Sequence, residues 1–352
     1  MGNCRLLVPA LLAAAAAVVP ARASLVITPT FDSSITQDTN AAAIEGAINT
    51  AIAVFEQTYT NPINVLIYFQ EGGGLGESNF YYYDGTPGSG FYQTYYNALV
   101  AMDANPAAIA GLNANGGNSV DNPVTGNDNI DIKSANARAV GIAIAPGCVP
   151  TGSPGSMFCP NNPGSGADAV DGIISLNTNI TYPPNPNGSD YSLVAVAEHE
   201  IDEILGLGSS LPNTSSGSGT VGYLENNPAP EDLFRYTASG TLINSAVNCS
   251  SPGSAYFSYS GMTDIAQFNN SCNGDDFGDW ATSGQVQSAV GSTGTEPIYG
   301  PSEIDALSAI GYTVAAPEPA TWALLLVPFL AFVLQRRLTF VLRLGTIFNS
   351  LK

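Results

Sequence analysis

The sequence predicts an α+β fold, with a mixed sheet and helices in the first two thirds of the chain and a loop-rich remainder. Three observations point there. Runs rich in β-branched and aromatic residues, Ile63 to Phe69 and Gly172 to Leu176, alternate with helical stripes such as Ile44, Ile48, Ile52 and Phe55. A mid-chain segment repeats apolar residues every four positions at Leu193, Ala197, Ile201 and Leu205. Beyond Gly206, short apolar segments are separated by stretches rich in Ser, Gly and Asn.

Taken in order, Leu25 to Thr28 reads as a strand. Ala41 to Tyr59 reads as a helix capped by Asp38 or Thr39 and ended by Asn61-Pro62. The strand from Ile63 to Phe69 runs into Gly72-Gly73-Gly74, a loop that lacks the Lys-Ser/Thr of a phosphate cradle. Phe91 to Met102 is a second helix, Ala139 to Ala145 a small apolar strand, and Gly172 to Leu176 another. Asp190 is expected to cap a helix from Tyr191 to Leu205. Shorter elements follow at Leu233 to Tyr236, Tyr256 to Tyr259 and Ile265 to Phe268, with a last helix from Glu303 to Ile310 ended by Gly311. The tyrosines at 81–83 and 95–96 read as core or interface packing, with a sugar-binding platform as the alternative.

The chain ends differ from this body. Arg5 precedes the apolar run Leu6 to Val19, and Ala21-Arg22-Ala23 offers a small-x-small cleavage site, so residues 1–23 are expected to be a signal peptide removed by signal peptidase. Residues 24–208 and 209–314 are expected to form two halves of one unit. Six of the nine Lys and Arg residues lie in the ends, leaving Lys133, Arg138 and Arg235 in a body that carries every acid except Glu318. Such a surface repels nucleic acid and anionic lipid and attracts cations, with structural calcium as one candidate. Cys148, Cys159, Cys249 and Cys272 form an even set in an exported chain and suggest two disulfides. Of three pairings, Cys148–Cys159 and Cys249–Cys272 are favoured because each closes a local loop.

At the other end, residues 320–335 are nearly all apolar and are followed by Arg336-Arg337. The run is marginal for a full span and reads as a transient membrane anchor. Pro317-Glu318-Pro319, this run and the arginines resemble the PEP-CTERM sorting signal over residues 315–337. The resemblance implies processing by an exosortase in a Gram-negative bacterium and delivery to the cell surface, the extracellular matrix or the medium. Residues 338–352 extend past the usual end of such a signal.

The chemistry centres on Glu198-His199-Glu200-Ile201-Asp202-Glu203, which holds the only histidine and four of the body's carboxylates. On a helix His199 and Glu203 lie one turn apart on one face, with Glu200 about 100° around the axis. The like-charge pairs Glu198/Asp202 and Glu200/Glu203 each oppose the helix by roughly 0.2–0.5 kcal/mol, which calls for a compensating cation. This is similar to the His-Glu-x-x-His motif of zincins, with Glu203 at the second histidine position. The metzincin extension adds Gly206 as the turning glycine and puts Ser209 where a third histidine stands. Asp171 to Asn177 resembles the strand before a zincin active helix, and Glu303 to Tyr312 the closing helix of serralysin-like enzymes. Pro29 to Ser34 and Pro230 to Tyr236 are similar to segments of PEP-CTERM-tailed proteins classed as metalloproteases.

The resemblance implies a zincin-like, metzincin-type sheet and active helix, and a metalloendopeptidase with zinc as cofactor. In it His199 and Glu203 are metal ligands and Glu200 is the general base; the third ligand is left unassigned by the resemblance, with Asp232 and Ser209 as candidates, Ser209 the poorer zinc ligand, and Glu231 and Asp276 beside them. The substrate is then a protein or peptide cut by metal-activated water. Two alternatives stand beside it. One is a catalytically inactive surface or matrix protein on the same fold that binds calcium or polysaccharide. The other is an acidic, solvent-exposed helix in which His199 holds no metal.

Overall fold

The computed structural model describes residues 24–80, 82–83, 91–146, 149–150, 157–158, 169–183, 189–213, 219–244 and 246–316. The expected signal peptide, the sorting motif Pro317, Glu318, Pro319, Arg336 and Arg337, the apolar run 320–335 and the pair Cys148–Cys159 lie outside the described residues. Among the described residues no helix is long and apolar enough to cross a membrane.

Residues Ala23–Val314 form one compact unit. Strand β1 (Val26–Phe31) leads through a single helical turn into helix α1 (Ala41–Thr58), whose Ile44, Ile48, Ile52 and Phe55 are all buried. Asn40, rather than Asp38 or Thr39, occupies the helix N-cap. Asp38 instead accepts the Asn40 N–H at 2.6 Å and shapes the entry turn. Strand β2 (Asn64–Glu71) then pairs parallel to β1, Val26 opposite Asn64 through Phe31 opposite Phe69.

The chain turns back as strand β3 (Gly76–Phe80), continues through helix α2 (Phe91–Met102), α3 (Pro106–Ala114) and α4 (Ser134–Ala139), and enters strand β4 (Gly172–Leu176). Strand order is β1-β2-β4-β3, with β4 parallel to β2 and β3 antiparallel to β4. All five β4 residues are buried, as expected for a strand with neighbours on both edges. The polar strand β3, Gly-Glu-Ser-Asn-Phe, closes one edge.

Helix α5 (Leu193–Leu205) packs against α1 and β3. The remainder supplies short strands β5 (Arg235–Tyr236), β6 (Ala255–Phe257) and β7 (Ala266–Phe268) in a small antiparallel sheet. Helix α6 (Pro301–Ala309) closes the unit, and Tyr312 beyond it donates its hydroxyl to the Leu205 carbonyl at 2.7 Å. One core cluster runs through both halves, from Leu25 to Tyr312. The mixed α+β class is therefore as expected, and residues 24–314 behave as one unit.

Two elements differ from expectation, and the packing role expected of Tyr95 is met. Ala139 to Ala145 is no strand: its first residue ends α4, and Ile142 to Pro146 lacks a ladder partner. Ala135, Ala137 and Ala139 favour helix, and Asn136 and Arg138 fix it by bonding the Ile310 carbonyl and Asp171. Helix α5 begins two residues late, because Tyr191-Ser192 pairs with Thr181-Tyr182. Ser192, rather than Asp190, caps it by accepting the Ala195 N–H at 3.3 Å. Tyr95 is fully buried in the core, with its hydroxyl on the Ile310 carbonyl, which excludes it from a sugar platform.

Candidate metal centre

Helix α5 is buried on nearly every side. Its stripe Leu193, Ala197, Ile201 and Leu205 is fully covered, and so, within a few per cent, are Glu198, Glu200 and Asp202. The solvent-exposed acidic helix is thereby excluded. Like-charge repulsion on a helix is worth tenths of a kcal/mol, whereas desolvating a carboxylate costs several. Burial is the larger effect here, and it demands neutralisation by a proton or a cation.

Among the described residues, none of the body's Lys and Arg side chains forms an ion pair with the carboxylates of α5. Arg138 holds Asp171 bidentately at 2.8 Å. Arg235, with no exposure, donates to the carbonyls of Phe277 and Asn269 and to the Asn270 side chain. Lys133 is also buried. Its Nζ donates to the carbonyls of Glu203 (2.7 Å) and Leu207, and sits 3.5 Å over the Phe80 ring from β3. It thus binds the negative end of α5, where unpaired carbonyls collect. Burial pushes its pKa down to about 8, partly offset by the charge of Glu203.

One face of α5 brings its functional side chains to a single point. His199 Nε2 lies 3.7 Å from Glu203 Oε1 and 3.6 Å from Asp279 Oδ1. One ligand atom from each of the three falls within 4.8 Å of the others. His199 Nδ1 lies 3.0 Å from the Val286 carbonyl, which can only accept, so Nδ1 carries the proton. In the neutral ring Nε2 is then left with its lone pair toward the two carboxylates. Glu203 Oε2 accepts the hydroxyl of Ser78 on β3, which turns Oε1 toward His199. Burial alone would lower the His199 pKa, but the charges of Asp279, Glu203 and Glu200 raise it well above its ordinary value. Burial pushes Asp279 well above the carboxylate range. Glu203, despite burial, is held below it by His199, Lys133 and Ser78. Two carboxylates facing one imidazole give the cluster the charge to hold a cation.

The third member, Asp279, was not among the residues singled out from the sequence. Gly206 ends α5 at φ +142, a conformation that favours glycine, and the chain turns toward the loop that carries Asp279. Gly278 lies against this turn so closely that a Cβ on it would stand 2.4 Å from Gly208 Cα. Its successor is thereby delivered beside His199. Two further ties hold the same loop: Arg235 on the Phe277 carbonyl at 2.6 Å, and a disulfide from Cys249 to Cys272, with Cα atoms 5.4 Å apart.

Ser209 and Asp232, the expected third ligands, are engaged with one another. Ser209 Oγ donates to Asp232 Oδ1 at 2.6 Å, and Asp232 also accepts the N–H groups of Ser210 and Ala229. They lock the turn after α5 instead of joining the cluster. Glu231 does similar work, accepting the Gly208 N–H at 2.6 Å. Asp276 lies on the wall of the cleft between β3 and α5, with Oδ1 committed to the Gly278 N–H at 2.7 Å.

The cleft has a volume of about 350 Å³ and runs between β3 and α5, with Tyr191, Val196 and Val290 along an apolar stretch. Glu200 lines it and packs on Gly76 of β3, where an added Cβ would meet Glu200 Oε1 at 2.3 Å. Burial, and after it the charge of Glu203, push the Glu200 carboxyl well above its usual range. The donor set, one imidazole and two carboxylates, suits zinc or a similar divalent ion. Calcium, which takes six to eight oxygens, is the poorer fit. Comparison of the chain with protein-family models, with curated proteins and with solved structures gives no match.

Proposed function

We propose that the chain is a zinc-dependent peptidase with a zincin-like arrangement of sheet and active helix. The observation that carries this reading is the convergence of His199, Glu203 and Asp279 beside Glu200 in a cleft walled by the edge strand β3. His199 Nε2, Glu203 Oε1 and an Asp279 oxygen are the atoms that would hold the metal. When bound, zinc supplies Lewis acidity that polarises a carbonyl and lowers the pKa of a water.

The protein's own residues do the rest. Glu200, buried at the cleft floor, takes the proton of the attacking water on a carboxylate oxygen and returns it to the leaving amine. Ser78 and Val286 fix the carboxylate and the imidazole, so that neither has to reorganise during the reaction. Two carboxylates among three ligands lower the net charge on the metal, so more of the water's activation falls to Glu200. In the same reading the chain is exported, trimmed by signal peptidase, sorted by an exosortase and delivered to the cell surface or beyond.

The test compares casein cleavage and self-cleavage by wild type, Glu200→Gln and His199→Ala, with metal content measured on each. Glu200→Gln should retain one zinc per chain and lose about 10²–10⁴-fold in rate. His199→Ala should lose the metal as well. Equal proteolysis by wild type and Glu200→Gln sinks the enzyme reading.

A further inference from the structure

The metal ligands are oriented by a segment that runs along the cleft well beyond the site helix. Val286 supplies the carbonyl that takes the His199 Nδ1 proton, and the next residue, Gln287, reaches a second ligand. Gln287 is fully buried, and its Nε2 donates to Asp279 Oδ1 at 2.8 Å, the same oxygen that faces His199 Nε2. Its main chain is tied on both sides. The N–H donates to Glu303 Oε1 on α6 at 3.2 Å, and the carbonyl accepts the Trp280 N–H at 2.7 Å. Its Oε1 is buried with no hydrogen-bond partner. An amide kept in this position, at the expense of one unsatisfied oxygen, is held for what its nitrogen does.

We propose that Gln287 is the positioning residue for the third metal ligand: it fixes the plane of the Asp279 carboxylate so that one oxygen faces the ion. This rests on the metal-centre reading above and goes beyond it by assigning the group that orders Asp279. An Asp carboxylate turns about its Cβ–Cγ bond over a broad, roughly two-fold range, and one donated N–H fixes its plane within that range. The adjacent Val286 does the same for His199. Two consecutive residues therefore order two of the three ligands, and Glu303 couples both to α6.

The experiment measures equilibrium Zn²⁺ and Co²⁺ binding to the full metal-stripped chain, by competition with a chromophoric chelator, and records the visible absorption of the Co²⁺ form. Gln287→Met keeps the length of the side chain and removes the donor. Gln287→Glu keeps its size and puts an acceptor against Asp279. Loss of partners around a ligand lowers metal affinity by about 10–100-fold, and that loss is expected in both variants, together with an altered Co²⁺ spectrum. The thermal midpoint of each metal-free variant reports whether the fold is intact, and either variant suffices if the other fails to fold. In an Asp279→Ala background the same substitutions should cause no further loss, because the group they position is gone. Undiminished affinity with an unchanged spectrum, or an equal loss in the Asp279→Ala background, overturns the proposal. Wild type that takes up neither metal overturns the metal-centre reading itself and this assignment with it.

Discussion

At the scale of single residues, the cleft depends on a position with no side chain. Gly76 on β3 faces α5, and a Cβ there would come within 2.3 Å of Glu200 Oε1 and 2.7 Å of Val196 Cγ1. The backbone at Gly76 is ordinary, so alanine would cause no strain of its own. The clash falls on Glu200 first and on Val196 after it. Gly76→Ala should therefore push the general base aside while leaving His199, Glu203 and Asp279 in place. A displacement of about 1 Å in a reacting group costs on the order of 10²-fold, so kcat/KM for a casein-derived peptide should fall by that factor with zinc stoichiometry unchanged. Wild-type kcat/KM in a folded Gly76→Ala protein would place the chemistry elsewhere than at Glu200.

At the scale of elements, the site helix and the loop that completes its cluster differ in how much of them can be read from the chain. Helix α5 was legible because its stripe, its i and i+4 pair His199 and Glu203, and its terminal Gly206 are all local patterns. Asp279 was not, since it arrives on a loop without periodicity. Its delivery depends on one glycine lying against another, Gly278 on Gly208, and backbone against backbone leaves no mark in composition. Strand β3 was missed for a related reason: Gly76 to Phe80 is mostly polar, and only pairing with β4 makes it a strand. The Ser209–Asp232 pair shows the converse. The metzincin spacing points to Ser209, and Asp232 is a candidate from the C-terminal half, but the two serve the turn. The Gly278 contact gives a direct test. Gly278→Ala forces a Cβ to within 2.4 Å of Gly208 Cα and 2.7 Å of the Ser209 nitrogen, an overpacking worth about 1–3 kcal/mol. The thermal midpoint should drop, and Zn²⁺ affinity should drop roughly 10-fold or more as Asp279 withdraws from His199. A variant that loses stability but keeps wild-type Zn²⁺ affinity would show that the loop's seat and the ligand are independent.

At the scale of the molecule, a chain with formal charge −20 has folded several of its acids inward, and this sets how its stability responds to pH. Burial, with Glu303 and Glu296 nearby, raises Glu198 to about 7. Burial likewise raises Asp202, which accepts the Tyr299 hydroxyl at 3.0 Å and has a second oxygen with no partner. Glu231 is raised well above its ordinary value by burial, although the Gly208 N–H opposes the shift. A carboxyl raised in the fold keeps a proton that the unfolded chain has already lost. Between the unfolded value, about 4–4.5, and the folded one, each such group makes stability fall as pH rises. Asp32 acts in the opposite sense but in another window. The Tyr68 hydroxyl holds it at about 2, so its contribution is lost only as pH falls below about 4. The metal-free protein should accordingly have its highest thermal midpoint near pH 4 and lose stability from pH 5 toward pH 8. Glu231→Gln removes one of the raised groups without moving a metal ligand. It should raise the midpoint at pH 8 and change it little at pH 5, as read by circular dichroism in chelator-treated samples. A metal-free midpoint that climbs from pH 5 to pH 8, or a Glu231→Gln effect equal at both, would mean that these carboxylates are ionised in the fold. The buried charge would then have to be balanced by a cation even when zinc is absent.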